Sequence, residues 1–274
     1  MRRLDDALVL RRTPFRETSL LLHLFTRQDG LLTAIARGVR ATPRSRTPLE
    51  RAALAGFHTV LLGRSARSVD ALPTITSVEI KQLRQQLLHQ AAALMAAQVT
   101  QEILYRFMVP CEPNPQVFEL LEWAWDLLET GAEPLLVLGI CQGRLLRALG
   151  YGWRTDCCAG CGRTGQLRFF SAKRGQVVCG TCASPYMEQA NQATARGGSG
   201  GHRLFPLGDD LYGVVQQLAW DGALEALSQR DKILLYRIGM ACLVWLGGTP
   251  LVADAPFRQI AGLESSSTPV RDSA

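Results

Sequence analysis

The sequence predicts an α+β chain: a small N-terminal β-barrel, an all-α domain after it, and a four-cysteine ribbon inserted among the helices. Three observations carry this. Residues 1–79 break into five short apolar runs joined by turn signals, and from Lys81 the apolar period becomes helical. Between Asp156 and Cys182 stand two Cys-x2-Cys pairs, with seventeen residues between them.

The five candidate strands are Ala7–Arg12, Ser19–Phe25, Leu31–Ala36, Ala52–Leu62 and Val69–Ile75. Gln28-Asp29-Gly30 between the second and third is a hairpin signal. Leu20-Leu21-Leu22 is continuous rather than alternating, which suggests burial on both faces. Five short strands within about 80 residues fit a five-stranded OB-fold, with an SH3-like barrel as the other closed arrangement. The barrel is assigned to residues 1–79.

A helical domain follows over residues 80–252. Leu83, Leu87, Ala91, Leu94, Met95, Val99 and Ile103 form one face of a helix of about six or seven turns. Pro110, Pro113 and Pro115 end it, and Asn114-Pro115 reads as an N-cap followed by proline at the first helical position. Val117, Phe118, Leu121, Trp125 and Leu128 make the next face, and a third helix runs over Pro134–Leu149. Two more are predicted at Asp209–Ala219 and Gly222–Leu246, after a low-complexity linker at 190–201. These stripes are core faces. Residues 253–274 are assigned to a largely disordered tail.

The ribbon is assigned to residues 153–186. A two-residue gap lets a tight turn aim two thiolates at one point, and two such turns brought together by a hairpin complete a tetrahedral cage of the kind zinc prefers. Leu167, Phe169 and Phe170 with Val177 and Val178 supply the two strands, turned at Lys173-Arg174-Gly175. The predicted ligands are Cys158, Cys161, Cys179 and Cys182. Cys157 competes with Cys158, which the matching gap favours. Four thiolates leave no open position, so a structural Zn(2+) is expected rather than a catalytic one. The zinc-deaminase pattern is absent too, since no histidine is followed two residues on by Glu.

No apolar run reaches the ~20 residues of a membrane span, and Ala7–Leu10 is too short for a signal-peptide core. A cytoplasmic protein with no membrane association is expected, its cysteines reduced or metal-bound. The net charge of +6 is unevenly placed, because residues 1–79 carry all of the excess, with 13 Arg and 7 acids. That is the footprint of a polyanion-binding domain. Arg37–Arg51 is the most basic loop, with five Arg and one acid, and Arg44 and Arg46 are candidate phosphate contacts within it. Only Phe15, Phe25 and Phe57 are aromatic before residue 80, so contact is expected to be electrostatic rather than by stacking.

ALVLRRTPFRETSLLLHLFTRQDGLLTAIARGVR at 7–40, the helical middle and LGYGWRTDCCAGCG…FFSAKRGQVVCGTC at 149–182 together resemble the RecO family of bacterial recombination and repair proteins. The resemblance covers nearly the whole chain. It implies an N-terminal OB-fold, a helical domain carrying zinc, binding to single- and double-stranded DNA, and annealing of complementary strands without ATP. It also implies RecR, the acidic C-terminal tail of the single-stranded DNA-binding protein and, indirectly, RecA as partners, and a nucleoid-associated location. Positions matching the family's basic barrel are Arg11, Arg12, Arg16, Arg37 and Arg40. Two other readings stand beside this one. A helical adaptor would dock the acidic tail with DNA contact incidental. A zinc hydrolase or nuclease would need an open metal site and an acid cluster that the sequence lacks. No enzyme activity is expected.

Overall fold

The computed structural model describes residues 2–39, 56–65, 71–185, 204–218 and 227–263. Its barrel is built from β1 (Arg2–Phe15), β2 (Ser19–Thr26), β3 (Gly30–Ala36), β4 (Thr59–Ser65) and β5 (Thr74–Gln82). The order is β1-β2-β3-β5-β4, closed by pairing of β4 with β1. All pairings are antiparallel except the parallel contact of β3 with β5 at Ile35 and Thr74, which is the OB arrangement. The fourteen-residue β1 serves two neighbours, β4 along its first half and β2 along its second. A bulge between Val9 and Arg11 bends it between the two.

Two strands lie further along the chain than the sequence predicts. The run at 52–62 is a strand only from Thr59, with residues 52–55 outside the described region. The run at 69–75 is replaced by Thr74–Gln82, which consumes the start of the expected helix. The reason is visible in the residues. Ile75, Thr76, Val78 and Ile80 are β-branched and suit a pleat, and all seven residues of β4 find partners on β5 to close the barrel edge.

Inward residues Ala7, Val9, Leu22, Leu24, Ala34 and Val60 fill the barrel. Leu8, Leu10, Phe25, Leu31 and Phe57 point outward and join the core of the helical domain. The two-faced burial expected at Leu20–Leu22 is therefore strongest nearby, at the alternating pairs Leu8/Val9 and Leu24/Phe25. Leu21 is only half-buried.

The helices are α1 (Gln85–His89), α2 (Ala91–Phe107), α3 (Pro115–Glu129), α4 (Pro134–Ala148), α5 (Asp209–Gln217), α6 (Gln229–Gly247) and α7 (Asp254–Ile260). The single long helix expected from Lys81 is two helices, broken where Gln90 adopts extended backbone. The Glu129 carboxylate accepts the N–H groups of Gln85, Gln86 and Leu87, so α1 is capped from α3 rather than from its own sequence. The Asn114 cap of α3 forms as expected, its side chain accepting the Val117 N–H at 3.1 Å. α4 and α6 cross closely, because Gly139 faces Leu235 and Gly239 faces Gln142 with no room for a Cβ. Residues 254–260, assigned from sequence to a disordered tail, form α7. Phe257 is fully buried against Tyr236, and the Glu102 carboxylate holds the Val252 and Ala253 N–H groups.

One face of α3 carries Glu119, Glu122, Asp126 and Glu129, and each grips the barrel or the segment leaving it. Arg27 reaches Glu119 at 2.7 Å and Glu122 at 3.3 Å, with its guanidinium over Phe118. Fully buried Arg84 donates to Asp126 at 2.8 Å, to the Phe57 carbonyl at 2.9 Å and to the Thr59 hydroxyl at 3.1 Å. Its backbone N–H donates to His58 Nδ1 at 3.1 Å, so His58 carries its proton on Nε2. Gly30 closes the same seam from the β2–β3 turn. Its φ is +68°, and any Cβ there would collide with the Glu112 carbonyl.

His58 makes this seam acid-sensitive. Burial, and then the Arg84 charge, depress its imidazole to about 4, against a weaker opposing pull from Glu129. The unfolded imidazole titrates near 6.5. As pH falls, the unfolded chain therefore takes up the proton first. The contribution is complete above about pH 6.5 and is lost progressively towards pH 4. Allowing for solvent screening, it is worth no more than about 2 kcal/mol. His58→Asn keeps an acceptor for the Arg84 N–H but cannot titrate. Its urea midpoint is expected to fall less steeply than wild type between pH 6.5 and 4.

Candidate metal centre and nucleic-acid interface

The ribbon is a three-stranded sheet ordered β7-β6-β8, from β6 (Leu167–Ser171), β7 (Gln176–Cys179) and β8 (Leu204–Pro206). The hairpin and its turn at 173–175 match the sequence reading, with Gly175 at φ +59°. β8 was not expected. It pairs Phe205 with Phe170 and buries both rings against the helical core. Trp153 packs edge-on to Phe170 at 5.2 Å, and the Tyr212 hydroxyl donates to the Thr155 carbonyl at 2.7 Å. The ribbon is thereby seated on the helices rather than tethered to them.

Cys158, Cys161, Cys179 and Cys182 converge, their four Sγ atoms all within 4.8 Å of one another. Cys161 and Cys179 are 3.8 Å apart. A tetrahedron of sulfurs bonded to zinc at about 2.3 Å has an edge of about 3.8 Å, so the spacing fits such an ion. Gly160 lets the first knuckle approach the second, since a Cβ there would lie 2.8 Å from Cys182 Sγ. The Ala159 N–H donates to the Val177 carbonyl at 2.9 Å and docks that knuckle on β7. Cys157 is not one of the four, and burial followed by the Asp156 charge pushes its thiol up.

The electrostatics suit a cation. Burial pushes the Cys158 thiol up, but the N–H groups of Cys179, Cys161 and Gly160 together outweigh it and bring it down to about 6. Those of Gly160 and Cys179 lie 3.4 and 3.3 Å from its sulfur. Cys182 moves the other way, to about 12, chiefly through its hydrogen bonds to Cys161 and Cys179. One ready thiolate and one reluctant thiol, packed together, are what a bound divalent cation would equalise. None of the eight cysteines is in a disulfide.

The barrel candidates divide. Arg11, Arg12, Arg16 and Arg37 are exposed, whereas Arg40, Arg44 and Arg46 lie outside the described residues. Arg11 pairs with His23 and Arg12 with buried Leu22, so their side chains leave opposite faces of β1. Arg16 sits at the β1–β2 turn with φ +55°, its guanidinium 5.2 Å from the Phe15 ring, and Arg37 leaves the end of β3. Arg11 heads a polar stripe across three strands. His23 hydrogen-bonds Thr13 at 3.3 Å and Thr33 at 3.2 Å, and burial and then Arg11 depress its imidazole. Tyr105 on α2 stands beside this stripe, partly exposed and close enough to feel the Arg11 charge. Sequence reasoning missed it. Tyr105 belongs to a core-forming helix, and only the docking of α2 on the barrel brings it to Arg11. Phe25 and Phe57 are buried, so two of the three barrel rings belong to the core.

A closed OB barrel is thus joined to a helical domain that carries a four-cysteine module, and sequence comparison identifies the class of protein with this division. Residues 1–84 match the family model described as Recombination protein O N terminal, and residues 88–196 match Recombination protein O C terminal. The chain is 32% identical over 227 residues to the DNA repair protein RecO of Desulfitobacterium hafniense, covering 82% of this chain and 76% of that one. It is 37% identical over 161 residues to the RecO of Haemophilus influenzae (58% and 64% covered), and 28% over 195 residues to that of Bacillus pumilus (70% and 73%). The chain belongs to the RecO family. Among the described residues, no helix is long and apolar enough to cross a membrane.

Proposed function

We propose that this protein acts in DNA repair and recombination as a mediator that binds single- and double-stranded DNA and anneals complementary strands without ATP. With RecR, it would help load RecA onto coated single strands. The observation that carries the reading is the coincidence of an OB barrel with the whole of the chain's formal charge excess, on a surface where Arg11, Arg12, Arg16 and Arg37 are exposed. A basic barrel covering phosphates lowers repulsion between two strands and leaves their bases free to pair. The four-cysteine centre holds Zn(2+) in a structural role, neutralising the thiolates and fixing both knuckles.

Reversing Arg37, Arg40 and Arg44 to Glu is expected to abolish annealing of complementary oligonucleotides. It should also flatten the dependence of log affinity on log salt by at least about three counter-ions. Annealing at the wild-type rate in that variant would remove the barrel from the mechanism.

A second, compatible role is docking of the acidic tail of the single-stranded DNA-binding protein. A groove of about 420 Å³ between α3 and α4 favours it, lined by Leu120, Trp123, Arg144 and Arg147. Arg144 stacks on Trp123 at 4.4 Å and is held by the Leu218 carbonyl at 2.7 Å, which leaves exposed Arg147 to meet a carboxylate. Arg147→Glu in the full chain is expected to weaken tail-peptide binding about tenfold or more while leaving oligonucleotide annealing unchanged. Unchanged peptide affinity would rule the groove out.

A further inference from the structure

A cavity of about 230 Å³ lies where the ribbon meets the helices, away from the barrel and sharing no lining residue with the α3–α4 groove. Three segments build it. The first is the chain leaving α4, where Gly150 at φ +85° and the Tyr151 N–H to Leu146 carbonyl bond turn the backbone sharply. The second is the β6–β7 turn with Lys173 and Arg174, and the third is the C-terminal end of α6 with Trp245 and Leu246. The first two are tied together by the Arg154 N–H to the Gly175 carbonyl at 2.8 Å and the Val177 N–H to the Arg154 carbonyl at 3.0 Å.

Its lining combines two chemistries. Tyr151, Trp153 and Trp245 supply three rings, and Tyr151 and Trp245 are each 53% exposed, whereas Trp125 is wholly buried. Lys173 and Arg174 supply cations, and no Asp or Glu lines the cavity. Arg174 is steadied by a 3.2 Å bond from Nη1 to the Ala159 carbonyl, within the first cysteine knuckle. Large exposed rings on a soluble domain mark a binding surface. Rings beside cations, with acids excluded, suit a ligand whose flat groups alternate with negative charge.

We propose that this cavity is a second single-strand site that takes one unstacked nucleobase between Tyr151 and Trp245 while Lys173 and Arg174 hold the flanking phosphates. The proposal rests on the DNA-binding reading of the chain but not on the barrel being its only contact. It changes the character of that contact. The barrel grips the backbone, and this site reads the flat face of a base, which only an unpaired strand offers. The chain thereby gains a preference for single strands that barrel charge alone does not give.

The test compares oligo(dT) with an oligonucleotide of equal length lacking bases, using the full-length zinc-loaded protein. Trp245→Ala is expected to lose about tenfold in affinity for oligo(dT) and nothing for the abasic strand, with Trp245→Phe restoring most of the loss. Lys173→Glu should weaken both strands and lower the salt slope by about one. A 5-iodouracil oligonucleotide should crosslink to the peptide bearing Tyr151 and Trp153 or to that bearing Trp245. Equal oligo(dT) affinity in Trp245→Ala, with no crosslink to either peptide, would overturn the proposal and leave the barrel reading standing. Failure of the wild-type protein to bind either strand would overturn both. An acidic, aromatic-ended peptide whose binding needs Trp245 when oligo(dT) binding does not would overturn it in favour of a protein partner.

Discussion

Arg84→Ala is expected to destabilise the protein by about 3 kcal/mol, seen as a lower urea midpoint with an unchanged slope. Arg84 is wholly buried and ties four groups together: Asp126, the Phe57 carbonyl, the Thr59 hydroxyl and, through its backbone, His58. Its removal leaves the Phe57 carbonyl without that donor and opens a cavity beside the Trp125 ring, itself edge-on to Phe57 at 5.0 Å. Asp126 is half exposed and can rehydrate, which keeps the loss below that of a fully buried broken pair. Arg84→Lys should recover little, because a point charge cannot span three acceptors as a guanidinium does. A loss under about 1 kcal/mol for the alanine variant would mean that apolar packing alone holds the seam.

Removing the metal proposed for the four-cysteine centre is expected to have the larger local effect. With the ion chelated, or with Cys179 replaced by serine, the two knuckles lose their shared anchor and the β6–β7 hairpin should open. Thiol titration reads this directly. In the loaded protein, rapid reaction is expected only at exposed Cys111 and half-exposed Cys157, because Cys141 and Cys242 are buried. Chelation should add the four ligand thiols to that fast phase. Because ligands bind as thiolates, the ion should also be released more readily as pH falls. An unchanged fast phase after chelation would show that the ribbon stands without metal.

What could be read from the sequence depended on how local the determining contacts are. The cysteine pairs set their own turns, so the convergence of the four thiols and the hairpin were legible. So was the α3 cap, because Asn114 reaches only three residues ahead. β5 was misplaced because Lys81 and Gln82 look helical in a window, whereas the strand runs on past an irregularity at Lys81 so that Gln82 pairs with Thr59 of β4. β8 has three residues and exists only through its pairing with β6. α7 had no visible pattern because its one buried residue, Phe257, needs Tyr236 to bury it. The α3 seam joins residues 42 or more apart in sequence, beyond any periodicity. Of the seven barrel arginines, charge density nominated the region, but only strand register separates Arg11 from Arg12.

The acidic face of α3 has a consequence for any attempt to divide the chain. The boundary between the two family-model segments falls at residues 84–88, beside Arg84, yet the contacts that hold the halves together do not depend on the peptide bond there. A barrel cut free would show water Leu8, Leu10, Phe25, Leu31 and Phe57, and the helical half would show a row of unanswered carboxylates. The halves are thus matched like the parts of a split reporter. Supplied as separate polypeptides, they are expected to bind each other and reconstitute in a pull-down, while each alone is expected to aggregate.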